Sequence, residues 1–227
     1  MGEYAIDSEL DVAGEQPRGR GRPRLSEVQA KKIRDRIATV ARALFIEEGY
    51  DGVSIRKIAK KVPCSTGVLY HQFANKRAIL QDIWDDIYLA CFKYCDKAAS
   101  RESGPIEKLR EFFVAYLEYW GKYPSHFKMI YLLDEREDQD AYWASHSKAF
   151  TQFDNWILPL IAEGVERGVL SVEEGISDTD VVLALYNICQ GLSYRRVSQP
   201  KGNDQEEKKF NEFAINTILK GFSGPNA

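Results

Sequence analysis

The sequence predicts an all-α protein, with a three-helix N-terminal unit followed by a larger helical body. Three observations carry this expectation. Apolar residues recur at intervals of three and four along most of the chain, and strand-like alternation is almost absent. Serine, asparagine and proline stand where helices would begin, and a glycine stands where the first would stop. At 227 residues, 44% apolar and 29% charged, the chain is long enough to bury a real core in one large or two small domains.

In the first helix Ile33, Ile37, Val40, Ala41, Leu44 and Phe45 fall on one face, and Gly49 ends it. After the turn at 50–53, Ser54 is a good N-cap for a short helix carrying Ile55, Ile58, Ala59 and Val62, which must close before Pro63. Ser65 then caps a third helix that buries Val68, Leu69 and Phe73 and leaves Thr66, Gly67, Tyr70, His71 and Gln72 mostly outside. Two short helices joined by a tight turn behind a longer one make a helix-turn-helix. That arrangement explains why so short a helix turns so many hydrogen-bonding groups outward. A recognition helix presents polar and aromatic groups to the major groove near its N-terminus, where its amides also favour phosphate.

Asn75 is placed to cap a long fourth helix with Ile79, Ile83, Ile87, Cys91 and Cys95 along one face. Pro105 opens a fifth, lined by Leu109, Phe112, Phe113, Tyr116 and Trp120. Pro124 and the acidic stretch DEREDQD at 134–140 punctuate the chain beyond it. Between positions 84 and 156 lie 17 of the 27 aromatic residues. Aromatic stripes are ordinarily core, but this excess is also what an apolar ligand cavity between helices requires, with tyrosine hydroxyls or His126 and His146 orienting the guest. Ser177 and Asp180 form a capping-box pattern at the start of the penultimate helix. The last helix sets Phe210, Phe213, Ala214, Thr217 and Ile218 at helical spacing. These two helices either finish a monomer core or meet a second copy.

The formal net charge of −3 conceals a division along the chain. Residues 17–77 hold 15 Lys and Arg against 5 Asp and Glu, a balance of +10, and the remainder carries −13. A basic end joined to an acidic body fits a nucleic-acid face attached to a part kept off the phosphates. Ahead of the first helix runs RGRGRPR, residues 18–24, which resembles the AT-hook peptide. In that reading Arg20, Arg22 and Arg24 lie along a narrow A·T minor groove. Read instead as an unstructured basic tail, the segment supplies nonspecific attraction alone.

Other function classes find little support. Ser54 with Lys57 and Ser125 with Lys128 fit Ser-x-x-Lys, but no Ser-Asp-Asn or Lys-Thr-Gly partner exists. Three histidines without His-Glu-x-x-His give no zinc hydrolase, so no catalytic residue, metal ligand or cofactor is expected. Cys91 and Cys95, one turn apart on an apolar face, read as buried structural thiols, with redox sensing or soft-metal binding as the alternative. The four cysteines lack a disulfide spacing and the N-terminus lacks an apolar signal core. The longest apolar stretch, 156–162, contains Pro159 and falls far short of the roughly 20 residues needed to cross a bilayer. A cytoplasmic protein without a membrane partner is expected.

Residues 37–84, through the segments ARALFIEEGYDGVSIRKIA, STGVLYHQF and NKRAIL, resemble the DNA-binding domain of the tetracycline-repressor (TetR) family. The resemblance implies a dimeric, all-helical, ligand-responsive transcriptional regulator. By position it implies DNA contacts, mostly to phosphate, at Ser54, Cys64, Ser65, Thr66, Gly67, Tyr70, His71, Gln72 and Lys76. Two departures stand out: Pro63 replaces the usual turn glycine, so the turn should differ in detail, and Thr66 replaces a frequent lysine.

The expected organisation is therefore a basic arm at 1–24, a helix-turn-helix domain at 25–75, an effector-binding and dimerisation domain at 76–222 and a tail at 223–227. Trp84, Tyr88, Phe92, Phe113, Tyr116, Trp120, Phe127, Tyr131, Phe150 and Phe153 are the candidate ligand-lining residues. The family resemblance makes the last two helices a four-helix homodimer interface, with Ala184, Gly191 and Ala214 allowing close approach. The expected function is repression at a palindromic operator on double-stranded DNA, relieved by a small apolar or aromatic effector. The alternative is a constitutive architectural DNA-binding protein without an effector.

Overall fold

The computed structural model describes residues 26–131, 148–199 and 203–224. Within them lie nine helices and no strand. These are α1 (Glu27–Glu48), α2 (Ile55–Lys61), α3 (Thr66–Gln72), α4 (Lys76–Ala99), α5 (Pro105–Lys122), α6 (Pro124–Tyr131), α7 (Lys148–Glu166), α8 (Asp178–Ser198) and α9 (Asp204–Lys220). The acidic stretch at 134–140 and His146 lie outside the described residues.

The helix starts are fixed by the caps that the sequence suggests. Ser54 accepts from the Lys57 amide, Ser65 from Val68 and Asn75 from Ala78, each leaving one fewer orphan donor in a first turn. Ser26 with Gln29 and Ser177 with Asp180 close complete capping boxes. Gly49 ends α1 at φ 74°, a conformation that a Cβ would strain. No residue between α2 and α3 has positive φ. The turn is made instead by extended Val62 and a tight Cys64 N–H to Val62 carbonyl bond of 2.6 Å, which is how the chain accommodates Pro63.

Helix α4 belongs to both parts of the molecule. Near its start it packs on α1, and along its length it lies against α5, α6 and α7. Besides the expected row at Ile79, Ile83, Ile87, Cys91 and Cys95 it buries a second row, Leu80, Trp84, Tyr88 and Phe92. Helix α5 is the axis of the body, packed by α4, α7, α8 and α9, and every residue from Phe112 to Leu117 is buried.

Helix α9 turns Glu207, Asn211, Ile215 and Leu219 inward. The apolar row read from its sequence faces the other way, with Phe210 38% and Phe213 67% exposed. Glu207 is buried because Arg195 and Arg196 of α8 both pair with it, at 3.1 and 3.3 Å. Past α9 the chain is held: Ser171 donates to the Phe222 carbonyl and Gly224 to that of Val169, so the segment expected as a tail begins inside a paired strip. No helix among the described residues is long and apolar enough to cross a membrane.

Candidate nucleic-acid interface and aromatic core

Helix α3 buries Leu69, half-buries Val68 and turns Thr66, Gly67, Tyr70 and His71 to solvent, with Tyr70 56% exposed. Gln72 is half-buried. Each capping hydroxyl, on Ser54 and Ser65, uses one lone pair on its helix amide and keeps its proton for an outside acceptor. A Cβ on Gly67 would meet only Ser65 Oγ, at 3.8 Å. The fold does not require glycine there, and glycine costs about 1 kcal/mol of helix propensity relative to alanine. What it provides is a helix N-terminus open to close approach.

Around this face Arg56, Lys60 and Lys61 are exposed, while Lys57 is engaged in an ion pair with Glu48. Cys64 is half-buried, and burial pushes its thiol pKa up against the opposing pull of Arg36. Lys76 is placed otherwise than expected. Its ammonium donates to the Tyr50 carbonyl at 2.8 Å and sits 3.8 Å from the Tyr50 ring centroid, so it struts the start of α4 against the turn after α1. Arg20, Arg22 and Arg24 lie outside the described residues.

One side chain joins the reading face to the body. Arg34 of α1 donates to the Gln72 carbonyl at 2.6 Å and to Asp82 of α4 at 2.6 and 3.2 Å, with its guanidinium 4.0 Å from the Phe73 ring centroid. The last turn of α3, α1 and α4 are thereby held by one planar group with fixed donor directions.

The ten candidate ligand-lining residues come from four helices: Trp84, Tyr88 and Phe92 from α4; Phe113, Tyr116 and Trp120 from α5; Phe127 and Tyr131 from α6; Phe150 and Phe153 from α7. Eight are buried, while Tyr131 and Phe150 are partly exposed. Most touch one another, as in the contacts Tyr88 to Phe150 at 5.0 Å, Phe92 to Phe153 at 4.8 Å and Phe127 to Tyr131 at 4.5 Å between ring centroids. Phe113 stands at the margin, with Phe112 as its ring neighbour. Three clefts, of about 520, 320 and 420 Å³, are bounded by other residues, near the start of α5 and along its junction with α9. The aromatic residues form a packed core.

At its centre the hydroxyls of Tyr88, Tyr131 and Tyr186 form a triangle. Tyr186 lies 2.9 Å from each of the other two, and Tyr88 bonds Tyr131 directly. Gln190 also bonds Tyr131, at 3.1 Å, and Tyr116 reaches it at 3.5 Å. Burial pushes the phenols of Tyr88, Tyr116 and Tyr131 well above their ordinary range, so they remain neutral donors. Nearby, Cys91 and Cys95 are fully buried, as the structural reading of these thiols expects. No group of three potential metal ligands exists among the described residues.

Sequence reasoning missed Tyr186, Gln190 and Arg34. Tyr186 and Gln190 are one turn apart on the inner face of α8, beside Val182, Leu185 and Cys189. Polar groups at core spacing are the signal that would have found them. Arg34 carried no such signal, because arginine near the start of a helix is usually solvated.

Residues 37–83 match the bacterial regulatory proteins of the tetR family. The transcriptional regulator UidR of Escherichia coli is 33% identical over 91 residues, covering 40% of this chain and 42% of UidR. The matched region is thus about two fifths of that relative's length. Among solved structures, the TetR-family regulator PfmR from Thermus thermophilus superposes with a TM-score of 0.56 at 22% identity, over 84% of this chain and 97% of PfmR. A tetR-family regulatory protein from Rhodococcus gives 0.58 at 16% identity, over 85% and 98%. At these identities the two structures speak for the fold.

Proposed function

We propose that this chain, whose helix-turn-helix belongs to the tetR family of bacterial regulatory proteins, is a transcriptional repressor. In this reading it holds a palindromic operator as a homodimer and releases it when a small apolar effector enters the aromatic core. The observation that carries the reading is α4. Its first two turns are tied to the reading helix through Asn75 and the Arg34 bridge, and its next turns supply Trp84, Tyr88 and Phe92 to the tyrosine core. A rigid helix shared by two sites lets an event at one bias the other, by as much as the ligand prefers one helix position. Hundredfold release needs a preference of about 2.7 kcal/mol.

The outward faces of the last two helices support dimerisation there. Leu183, Ile188, Tyr194, Phe210 and Phe213 are all exposed, an apolar surface that a second copy would cover. Two-fold symmetry then places two copies of α3 about 34–36 Å apart or slightly more, one turn of DNA. The DNA-facing groups are Ser54, Cys64, Ser65, Thr66, Gly67, Tyr70, His71 and Gln72, with Lys76 serving first as a strut. Tyr70 offers a hydroxyl to phosphate and a ring to sugar or thymine methyl, and Gln72 can pair with adenine.

The test is operator binding by the full chain, on a site selected from random DNA, with and without a compound found by thermal-shift screening. Symmetric half-sites, weaker binding with the compound bound, and at least about tenfold loss in Tyr70→Ala without loss of stability are expected. Operator affinity unchanged at full ligand occupancy would favour a constitutive DNA-binding protein. Removing residues 1–24 deletes the arginines at 18, 20, 22 and 24, and should flatten the dependence of log K on log salt by up to about 0.9 per lost phosphate contact. An unchanged slope and unchanged preference for A·T flanks would make the arm idle.

A further inference from the structure

Helix α6 packs on α1 of the reading head as well as on α4, α5 and α8 of the body. His126 stands half-buried in this seam. Its Nδ1 lies 2.9 Å from the Tyr119 hydroxyl of α5, and its ring stacks on Tyr123 at 5.3 Å between centroids, with 17° between the planes. Lys122 Nζ stands 5.6 Å from the Tyr123 ring centroid. Helix α8 meets α6 elsewhere, through Tyr194 at Phe127 and Gln190 at Tyr131. The charged group that acts on His126 is Arg42 of α1, which acts also on Tyr119 and on Asp86 of α4. Arg42 Nε is buried without a hydrogen-bond partner among the described residues. Burial first, and Arg42 after it, hold the His126 pKa below the ordinary histidine range. A histidine held low resists its proton, so the arrangement that holds it loses stability as pH falls below about 6.5.

The Tyr119 hydroxyl links this histidine to α4. It has two acceptors in reach, His126 Nδ1 at 2.9 Å and the Ile87 carbonyl at 3.4 Å. While His126 is neutral, the shorter contact takes the phenol proton. Once Nδ1 carries a proton taken from solvent it must donate, and the phenol turns its own proton to Ile87. The hydrogen bond survives the change, but an imidazolium then faces the Arg42 guanidinium across α6 and α1. We propose that His126 is a proton-sensitive latch between head and body, whose protonation pushes α6 off α1 and weakens operator binding. The inference rests on the reading of this chain as an operator-binding dimer. A loosened seam lets the two heads leave the spacing that one turn of DNA requires, so acid costs affinity. His71, exposed on α3, works in the opposite sense, because its protonation adds a cation beside phosphate.

The experiment titrates selected operator DNA with the full chain between about pH 7.5 and about pH 5.5 at constant salt, beside NMR titration of the histidine ring protons and Tm over the same range. Wild type should lose about tenfold in affinity on acidification, and the resonance missing from His126→Gln should titrate below about 6.5. His126→Gln keeps a hydrogen-bonding group beside Tyr119 but gains no charge, so its affinity should hold or rise toward acid through His71. His71→Gln should steepen the loss, and Arg42→Met, lacking the opposing cation, should shrink it to about threefold or less. A loss that persists in His126→Gln, or a His126 resonance titrating above about 6.5, overturns the inference. Should His126→Gln fail to fold, an undiminished loss in Arg42→Met overturns it equally. If the chain binds no selected DNA at any pH, the repressor reading fails and Tm decides the latch: an acid loss of Tm larger in wild type than in His126→Gln supports it, and an equal loss overturns it.

Discussion

The reading head and the aromatic body share α4, yet they are held together by different means. Helix α3 has seven residues and buries only Leu69 among them; its position comes from the Ser65 cap, Phe73 behind it and the Arg34 bridge to its last carbonyl. The body is held by rings, with Phe112 alone touching Phe92, Phe113, Phe153 and Trp156. In the head, Thr66, Gly67, Tyr70 and His71, the groups proposed to meet DNA from α3, lie outside the packing that holds the fold. In the body the rings proposed to meet an effector are themselves the core. Substitutions should therefore separate binding from stability in the head and entangle them in the body.

The largest test of this contrast is Phe112→Ala, which empties a ring site that is 1% exposed and should cost about 3–5 kcal/mol in chemical denaturation. A loss under about 1 kcal/mol would mean that the aromatic core is loosely packed, and the contrast would fail. Arg34→Met stands between the two regions. Its side chain is 39% exposed, so the stability loss should be about 1–2 kcal/mol, but operator affinity should fall with it because the last turn of α3 is released. Lost stability at full operator affinity would show that the bridge does not position α3. The smallest change is Gly67→Ala. Alanine fits the free protein, so stability should rise by up to about 1 kcal/mol while operator affinity drops at least about tenfold. Unimpaired binding would remove the argument that DNA approaches this glycine closely.

Much of the head was legible because its determinants are local. Ser54, Ser65 and Asn75 cap residues three positions on, and Ile37, Ala41, Leu44 and Phe45 repeat with the helix. The Lys76 strut was not, since a lysine at a helix start gives no sign that a carbonyl 26 residues earlier waits for it. In the body, helix starts and aromatic content were visible, but the partnership of Tyr88 with Tyr186 spans 98 residues and exists only after α4 and α8 are packed. The inward face of α9 was not legible for a related reason. Glu207 and Asn211 are buried by arginine pairing and close packing, so apolar spacing pointed to the opposite side.

In the triangle of Tyr88, Tyr131 and Tyr186, three hydroxyls, each donating to the next, can circulate their protons clockwise or anticlockwise without moving a heavy atom. The core thus holds a two-fold degeneracy that no electron-density map at ordinary resolution would reveal. A guest that drew one of these protons to itself would open the ring and end the circulation, because each phenol has a single proton to donate. Deuterium substitution at the three phenols, read through the hydroxyl stretching bands, would register that opening as the loss of the ring pattern.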